Sequence, residues 1–174
     1  MSELRFRAGK IRLACFDVDG VLTDGRLYYT DDGHEIKAFD VKDGHGLKML
    51  QESGVETAII TSRSSRAVEL RARNLAIKHL YQAVSDKRKT WEALLAQLGL
   101  TPEQSSYMGD DLVDLPVMRR CGLAITVPDA PALVTESAHY ITRAPGGRGA
   151  AREACELILM AQGNFQAAVA PFLA

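Results

Sequence analysis

The segment Leu13-Ala14-Cys15-Phe16-Asp17-Val18-Asp19-Gly20 constrains this chain more than any other. An apolar run ends in two carboxylates one residue apart, followed by glycine. If residues 11–17 form a buried strand, side chains alternate in direction along it. Asp17 and Asp19 then leave on the same side at the strand's carboxyl end, where open α/β sheets place their ligands. A single aspartate there is explained as a turn residue. Two neighbouring anions repel each other, and such a pair asks for a cation or a shared proton. With oxygen ligands alone the cation is Mg²⁺, which commonly brings a phosphate with it.

Beyond this segment, strands alternate with helices. Residues 26–30 and 35–40 flank Asp31-Asp32-Gly33 and predict a β-hairpin. Asp43 is placed to cap a helix running to about residue 53, closed by Gly54. Residues 55–60 predict a second apolar strand, 64–74 a helix with Val68, Ala72 and Leu75 on one face, and 79–81 a brief strand. Asp86 caps a helix whose Trp91, Leu94, Leu95 and Leu98 recur at helical spacing. Thr101-Pro102-Glu103 opens a helical turn with proline in its favoured first position. Strand-like 106–109, helical 112–119, strand-like 123–127, a short strand at 139–141 and an amphipathic helix over 148–162 complete the pattern. Residues 164–174 are left unassigned. This alternation predicts an α/β three-layer sandwich on a Rossmann-like, mainly parallel sheet, as one domain over residues 1–174. The hairpin is a small insertion, and the stretch between Asp19 and Thr61 leaves no room for a large cap domain.

Lys+Arg 21 against Asp+Glu 22 leaves a net charge of −1, which makes no case for a nucleic-acid partner or an acidic membrane surface. No run approaches the 18 or more apolar residues of a membrane span. Residues 1–10 lack an apolar signal core, so the expected compartment is the cytoplasm. Cys15, Cys121 and Cys155 are far apart and lack CxxC spacing, which fits core thiols in a reducing environment. His34, His45, His79 and His139 show no metal-binding spacing.

Three further polar clusters fall where predicted strands end. Thr61-Ser62-Arg63 offers a hydroxyl just ahead of a helix, where backbone amides favour an anion. Lys87 sits in a first helical turn, against the helix dipole. Tyr107-Met108-Gly109-Asp110-Asp111-Leu112-Val113-Asp114 crowds three carboxylates into one turn. Each has an ordinary explanation: a helix cap, a solvated lysine beside Arg88 and Lys89, an acidic first turn. Their order is what those explanations leave out. Acid pair, hydroxyl, lysine and second acid cluster follow one another, each after a separate strand.

In this the chain resembles the haloacid-dehalogenase superfamily of phosphotransferases, whose four motifs match Asp17-x-Asp19, Thr61, Lys87 and Gly109-Asp110-Asp111-x-x-Asp114. Longer strings narrow the likeness, from about residue 11 to 163, to the 3-deoxy-D-manno-octulosonate 8-phosphate phosphatase family. They are Asp17-Val18-Asp19-Gly20-Val21-Leu22-Thr23-Asp24-Gly25, Lys37-Ala38-Phe39-Asp40-Val41-Lys42-Asp43-Gly44, Gly109 through Met118, and Gly146-Gly147-Arg148-Gly149-Ala150. The resemblance implies a phosphoric monoester hydrolase acting on a small phosphorylated sugar acid, in the making of the lipopolysaccharide inner core. Asp17 would be the nucleophile, Asp19 the proton donor and acceptor, and Thr61 and Lys87 the holders of phosphoryl oxygens. Mg²⁺ would be held by Asp17, the backbone carbonyl of Asp19 and Asp110, with Asp111 and Asp114 behind them. Sugar contacts are expected from Asp19, Asp40, Val41, Lys42, Asp43, Gly44, Lys48, Arg63, Arg71, Lys87, Asp111 and Arg148. At two of these positions the family more usually has arginine (here Lys48) and often asparagine (here Asp40).

The hairpin carries Leu27, Tyr28, Tyr29, Ile36, Ala38 and Phe39, apolar for a ribbon that is marginal alone in water. The resemblance implies a homotetramer in which one chain covers the next chain's site. Three alternatives compete: a phosphatase for a nine-carbon keto-sugar acid, a phospho-acceptor receiver domain, and a non-catalytic oligomerising relative. The last would have lost one or more of Asp17, Asp19, Lys87 and Asp110; none is lost.

Overall fold

The computed structural model describes residues 3–173. Strand β1 (Leu13–Phe16) has all four side chains buried and lies inside a six-stranded sheet. Two short strands, β2 (Tyr28–Tyr29) and β3 (Glu35–Ile36), pair antiparallel as a separate ribbon. β4 (Glu56–Ile60), β5 (His79–Tyr81), β6 (Ser105–Met108), β7 (Leu123–Thr126) and β8 (Tyr140–Ile141) complete the large sheet in the order β5-β4-β1-β6-β7-β8. Every pairing in it is parallel, with Phe16 opposite both Ile59 and Met108. The chain builds outward from β1 to β5, then returns to lay β6 on β1's other side. That reversal opens a crevice at the carboxyl ends of β1 and β6.

Alternation along the strands creates two cores. Ala14, Phe16, Ile59, Met108 and Ile125 face a layer made by α1 (Glu3–Gly9), α2 (Val41–Glu52), α3 (Arg66–Asn74) and α7 (Ala150–Ala161). Leu13, Cys15, Ala58, Ile60, Tyr107 and Ala124 face α4 (Lys87–Leu98), α5 (Leu115–Met118) and α6 (Ala132–Glu136). A neighbouring pair such as Leu13 and Ala14 thus points to opposite faces. The three layers are those expected. Trp91, Leu94 and Leu95 seat α4, and the Asp86 carboxylate accepts from Lys89 N at 3.0 Å to cap it.

Some local expectations are corrected. The hairpin ladder is two residues per strand rather than five or six, because Tyr28, Tyr29 and Ile36 are exposed and have no core to extend against. α1 and α6 add helices where the sequence predicts none; at seven and five residues they are too short for a helical period to show. Within the tail, residues 165–169 form α8 (Phe165–Val169), which lays Phe165 and Ala168 against the first core; Ala174 lies outside the described residues.

Asp43 does not cap α2. Asp40 does, its Oδ1 accepting from Lys42 N at 2.6 Å. Asp43 is buried one turn inside, where α2 packs along α7, and it accepts from Arg152 N (2.8 Å) and Gly149 N (3.3 Å). Gly149 has no side chain to cap α7, so Asp43 supplies the acceptor from another helix. Asp43→Ala leaves two partly buried amides without this partner, which predicts a loss of about 1–2 kcal/mol in urea unfolding. A change below about 0.5 kcal/mol would contradict this capping role.

Candidate active site

The crevice gathers residues from four parts of the chain. Asp17 follows β1 directly, and its N–H extends the sheet by donating to Met108 O at 2.9 Å. Thr61 follows β4, Lys87 begins α4, and Asp110 and Asp114 lie in the turn after β6. Carboxyl oxygens of Asp17, Asp110 and Asp114 come within 4.8 Å of one another. Lys87 Nζ stands 3.0 Å from Asp17 Oδ2 and 2.6 Å from Asp114 Oδ1, with both side chains of the latter pair buried.

Asp114 is fully engaged. Its Oδ1 accepts from Lys87 and from the Tyr107 hydroxyl at 2.9 Å, and its Oδ2 from the amides of Asp110 and Asp111 at 3.1 and 3.2 Å. It acts as the anchor for Lys87. Asp17 Oδ1 and Asp110 Oδ1, by contrast, are buried with no hydrogen-bond partner among the described residues. Two orphaned carboxylate oxygens in one crevice have the chemistry of a hard-cation site. The oxygen-only donors Asp17 and Asp110 fit Mg²⁺. Gly20 makes the approach possible: its φ is +88°, and a Cβ there would fall 1.9 Å from Asp110 Oδ2.

Burial, and then the charge of Asp114, pushes the Asp17 carboxyl up to about 6 against the pull of Lys87. Burial, and then the charge of Asp17, pushes Asp110 up to about 7. For Lys87, burial opposes the ammonium, but the charges of Asp114 and Asp17 outweigh it and raise its pKa. The crevice thus holds more negative charge than Lys87 cancels.

Asp19 lies outside this cluster. Its carboxylate turns toward the hairpin, where Oδ1 accepts from Lys37 Nζ and Oδ2 faces Arg63 Nε at 3.8 Å. Lys37 also pairs with Glu35 Oε1 at 3.0 Å, and Arg63 binds Glu35 Oε2. Thr61 is buried at the end of β4, its hydroxyl oxygen 3.4 Å from Arg63 N. Asp111 is exposed and caps its own turn, accepting from Leu112 N at 2.7 Å.

The expected sugar-binding residues divide. Gly44 lies under Arg71, whose guanidinium donates to Asp40 O at 2.9 Å and stacks over Phe39. Val41 and Lys42 are exposed at the start of α2, and Lys48 is exposed about two turns further along it. Val41, Lys48, Arg71 and His45 line a shallow cavity of about 220 Å³ that none of the clustered carboxylates borders. Asp43 is committed to α7. Arg148 is exposed, but the glycines before it pack on the chain's own first loop: Gly147 N donates to Val21 O at 2.9 Å, and a Cβ on Gly146 would meet Gly20 O at 1.8 Å.

Three residues that touch the candidate site residues have no role in the sequence reading: Tyr107 and Lys37 stand there only inside longer motif strings, and Glu35 only within the predicted hairpin. Tyr107 is legible only once β6 is known to point it at Asp114. Glu35 and Lys37 carry a faint signal, two opposite charges alternating with apolar Ile36 on one strand.

With no metal bound, the raised Asp17 and Asp110 values mean that the folded chain holds more protons than the unfolded one between about pH 4 and 7. Their contribution to stability therefore falls as pH rises through that window. Mg²⁺ relieves it, so the Mg²⁺-induced rise in Tm should be larger at about pH 8 than at about pH 5. Melting curves in EDTA and in Mg²⁺ that show an equal rise at both would contradict this electrostatic account.

The family model for haloacid dehalogenase-like hydrolases matches residues 77–152, which include Lys87 and the second acid cluster. The 3-deoxy-D-manno-octulosonate 8-phosphate phosphatase KdsC of Yersinia pestis is 51% identical over 162 residues, covering 93% of this chain and 87% of that protein. The enzyme of the same name from Escherichia coli (strain K12) is 48% identical over 162 residues, covering 93% and 86%. Among solved structures, a probable YrbI family phosphatase from Pseudomonas syringae pv. phaseolica 1448a matches with TM-score 0.97 and 57% identity over 99% of this chain and 98% of that one. The Moraxella catarrhalis 3-deoxy-D-manno-octulosonate 8-phosphate phosphatase, solved with a magnesium ion, a phosphate ion and a KDO molecule, matches with TM-score 0.97 and 45% identity over 99% of each chain. These likenesses span both acid clusters and all the strands between them, and the chain belongs to the 3-deoxy-D-manno-octulosonate 8-phosphate phosphatase family of haloacid dehalogenase-like hydrolases.

Proposed function

We propose that this chain is a Mg²⁺-dependent phosphatase that hydrolyses 3-deoxy-D-manno-octulosonate 8-phosphate to the free sugar acid and phosphate. The observation that carries the proposal is the pair of orphaned oxygens on Asp17 and Asp110 beside the Lys87 ammonium. Phosphate monoesters hydrolyse extremely slowly in water, and a carboxylate nucleophile must also approach a dianion. Asp17, Asp110 and the Asp19 backbone carbonyl would hold the metal, which when bound cancels phosphate charge.

An Asp17 oxygen attacks phosphorus as the bond to the sugar oxygen breaks, giving an aspartyl phosphate. Asp19 hands its proton to the departing alkoxide. It then takes a proton from the water whose oxygen attacks phosphorus, which frees phosphate and restores Asp17. Lys87, fixed by Asp114, neutralises a phosphoryl oxygen, and the Thr61 hydroxyl donates to another. Arg63 and Arg71, both near the hairpin and the start of α2, are the cations placed to meet the sugar's carboxylate.

Leu27, Tyr28, Tyr29 and Ile36 are exposed on the ribbon, an apolar surface suited to a homotetramer that closes each site with a neighbouring chain. Within a cell the reaction would serve lipopolysaccharide inner-core synthesis in the cytoplasm of a Gram-negative bacterium.

Phosphate release from a panel of sugar-acid phosphates tests the assignment. Turnover of the eight-carbon acid should exceed that of a nine-carbon keto-sugar acid by about tenfold or more and vanish in EDTA. Equal turnover of the two would defeat the choice of sugar. Asp17→Asn should lower the rate about a thousandfold or more while leaving the melting temperature near that of the parent; surviving activity would rule out the nucleophile. In size-exclusion chromatography with light scattering, a mass near four chains is expected, and a 19.0 kDa monomer at working concentration would remove the tetramer.

A further inference from the structure

The hairpin's inward face is charged, and its charges end on Asp19. Lys37 keeps only 2% of its side-chain exposure and bridges Asp19 Oδ1 and Glu35 Oε1. Glu35 passes on to Arg63, whose Nε faces Asp19 Oδ2 at 3.8 Å, beyond hydrogen-bonding distance. Two carboxylates and two cations thus form a closed ring of zero net charge between β3 and the segment after β4. A lysine this enclosed is not a solvated surface charge: burial opposes its ammonium, and the hydrogen bond to Asp19 with the ion pair to Glu35 outweighs that. One oxygen of Asp19 is tethered, and the other is left without a close partner, which is the asymmetry that one-proton delivery at a fixed atom needs.

We infer that Lys37, held by Glu35, is a positioning residue for Asp19: it ties down Oδ1 so that Oδ2 is presented to the leaving oxygen of the substrate. The inference rests on the proton-transfer role proposed above for Asp19. It gives the ribbon a task in its own chain's reaction, separate from any contact between chains.

Leaving-group chemistry tests it. Departure of a sugar alkoxide needs a proton from Asp19, whereas 4-nitrophenolate leaves without one. The kcat/KM ratio reads only steps up to that departure, so the later hydrolysis of the aspartyl phosphate does not enter. Lys37→Met should lower kcat/KM for 3-deoxy-D-manno-octulosonate 8-phosphate at least about tenfold more than for 4-nitrophenyl phosphate. An equal loss on both, the signature of general structural damage, overturns the inference, and so does no loss on either. Should Lys37→Met fail to fold, Glu35→Gln removes the far anchor, and the same selective loss, smaller in size, is required of it; an unselective loss there also overturns the inference. Asp19→Asn in the same assay separates the two layers. If it is selective and the Lys37 and Glu35 variants are not, only the positioning role falls; if Asp19→Asn is itself unselective, the proton-donor reading falls and the positioning role with it.

Discussion

Three carboxyl groups and one ammonium share the crevice beside β1, and most of the surrounding structure can be understood as what it takes to keep them there. Like charges repel strongly where water is scarce. The structure divides the labour among them. Asp114 receives four donors, two backbone amides, a tyrosine hydroxyl and Lys87, and so becomes a fixed counter-charge. Asp17 and Asp110 receive too few and keep an oxygen each for something else. The sheet supplies the geometry, because the reversal of strand order places β1 and β6 side by side with both acid turns at the same edge. Gly20 supplies the clearance that lets one turn approach the other.

The ribbon is a small insertion with two unlike faces. Glu35 and Lys37 face inward onto Asp19 and Arg63, with Tyr29 paired to Glu35 on that side, while Ile36 and its partner Tyr28 lie on the opposite face. Period-two geometry makes this two-sidedness almost automatic for an antiparallel pair. One face carries the ion pairs to Asp19 and Arg63, and the other is apolar and exposed.

Much of this was legible from residue order, and the reasons differ by element. The strand assignments rested on buried apolar runs, and the two-sided cores with Leu13 and Cys15 on one face and Ala14 and Phe16 on the other follow from alternation alone. The Asp86 cap was legible because a helix cap is a local bond. Asp43 was not, since it caps a helix more than a hundred residues later, and no local pattern records that. The burial of Lys37 has no local signal either, because it depends on Asp19, distant in sequence. Tyr107 was hidden for the same reason. The tail's helix follows from Phe165 and Ala168 meeting the first core, a partner supplied by tertiary packing.

The loop carrying Asp17 and Asp19 leans on Gly146 and Gly147, which fill the space behind residues 20–24 so closely that neither glycine could bear a side chain. The acidic loop is therefore walled by a segment more than a hundred residues further along the chain. The bend carries hydrogen bonds of its own, from the amides of Val21, Leu22 and Thr23 to Val18 O, but a chain that stops before residue 146 has no wall behind it.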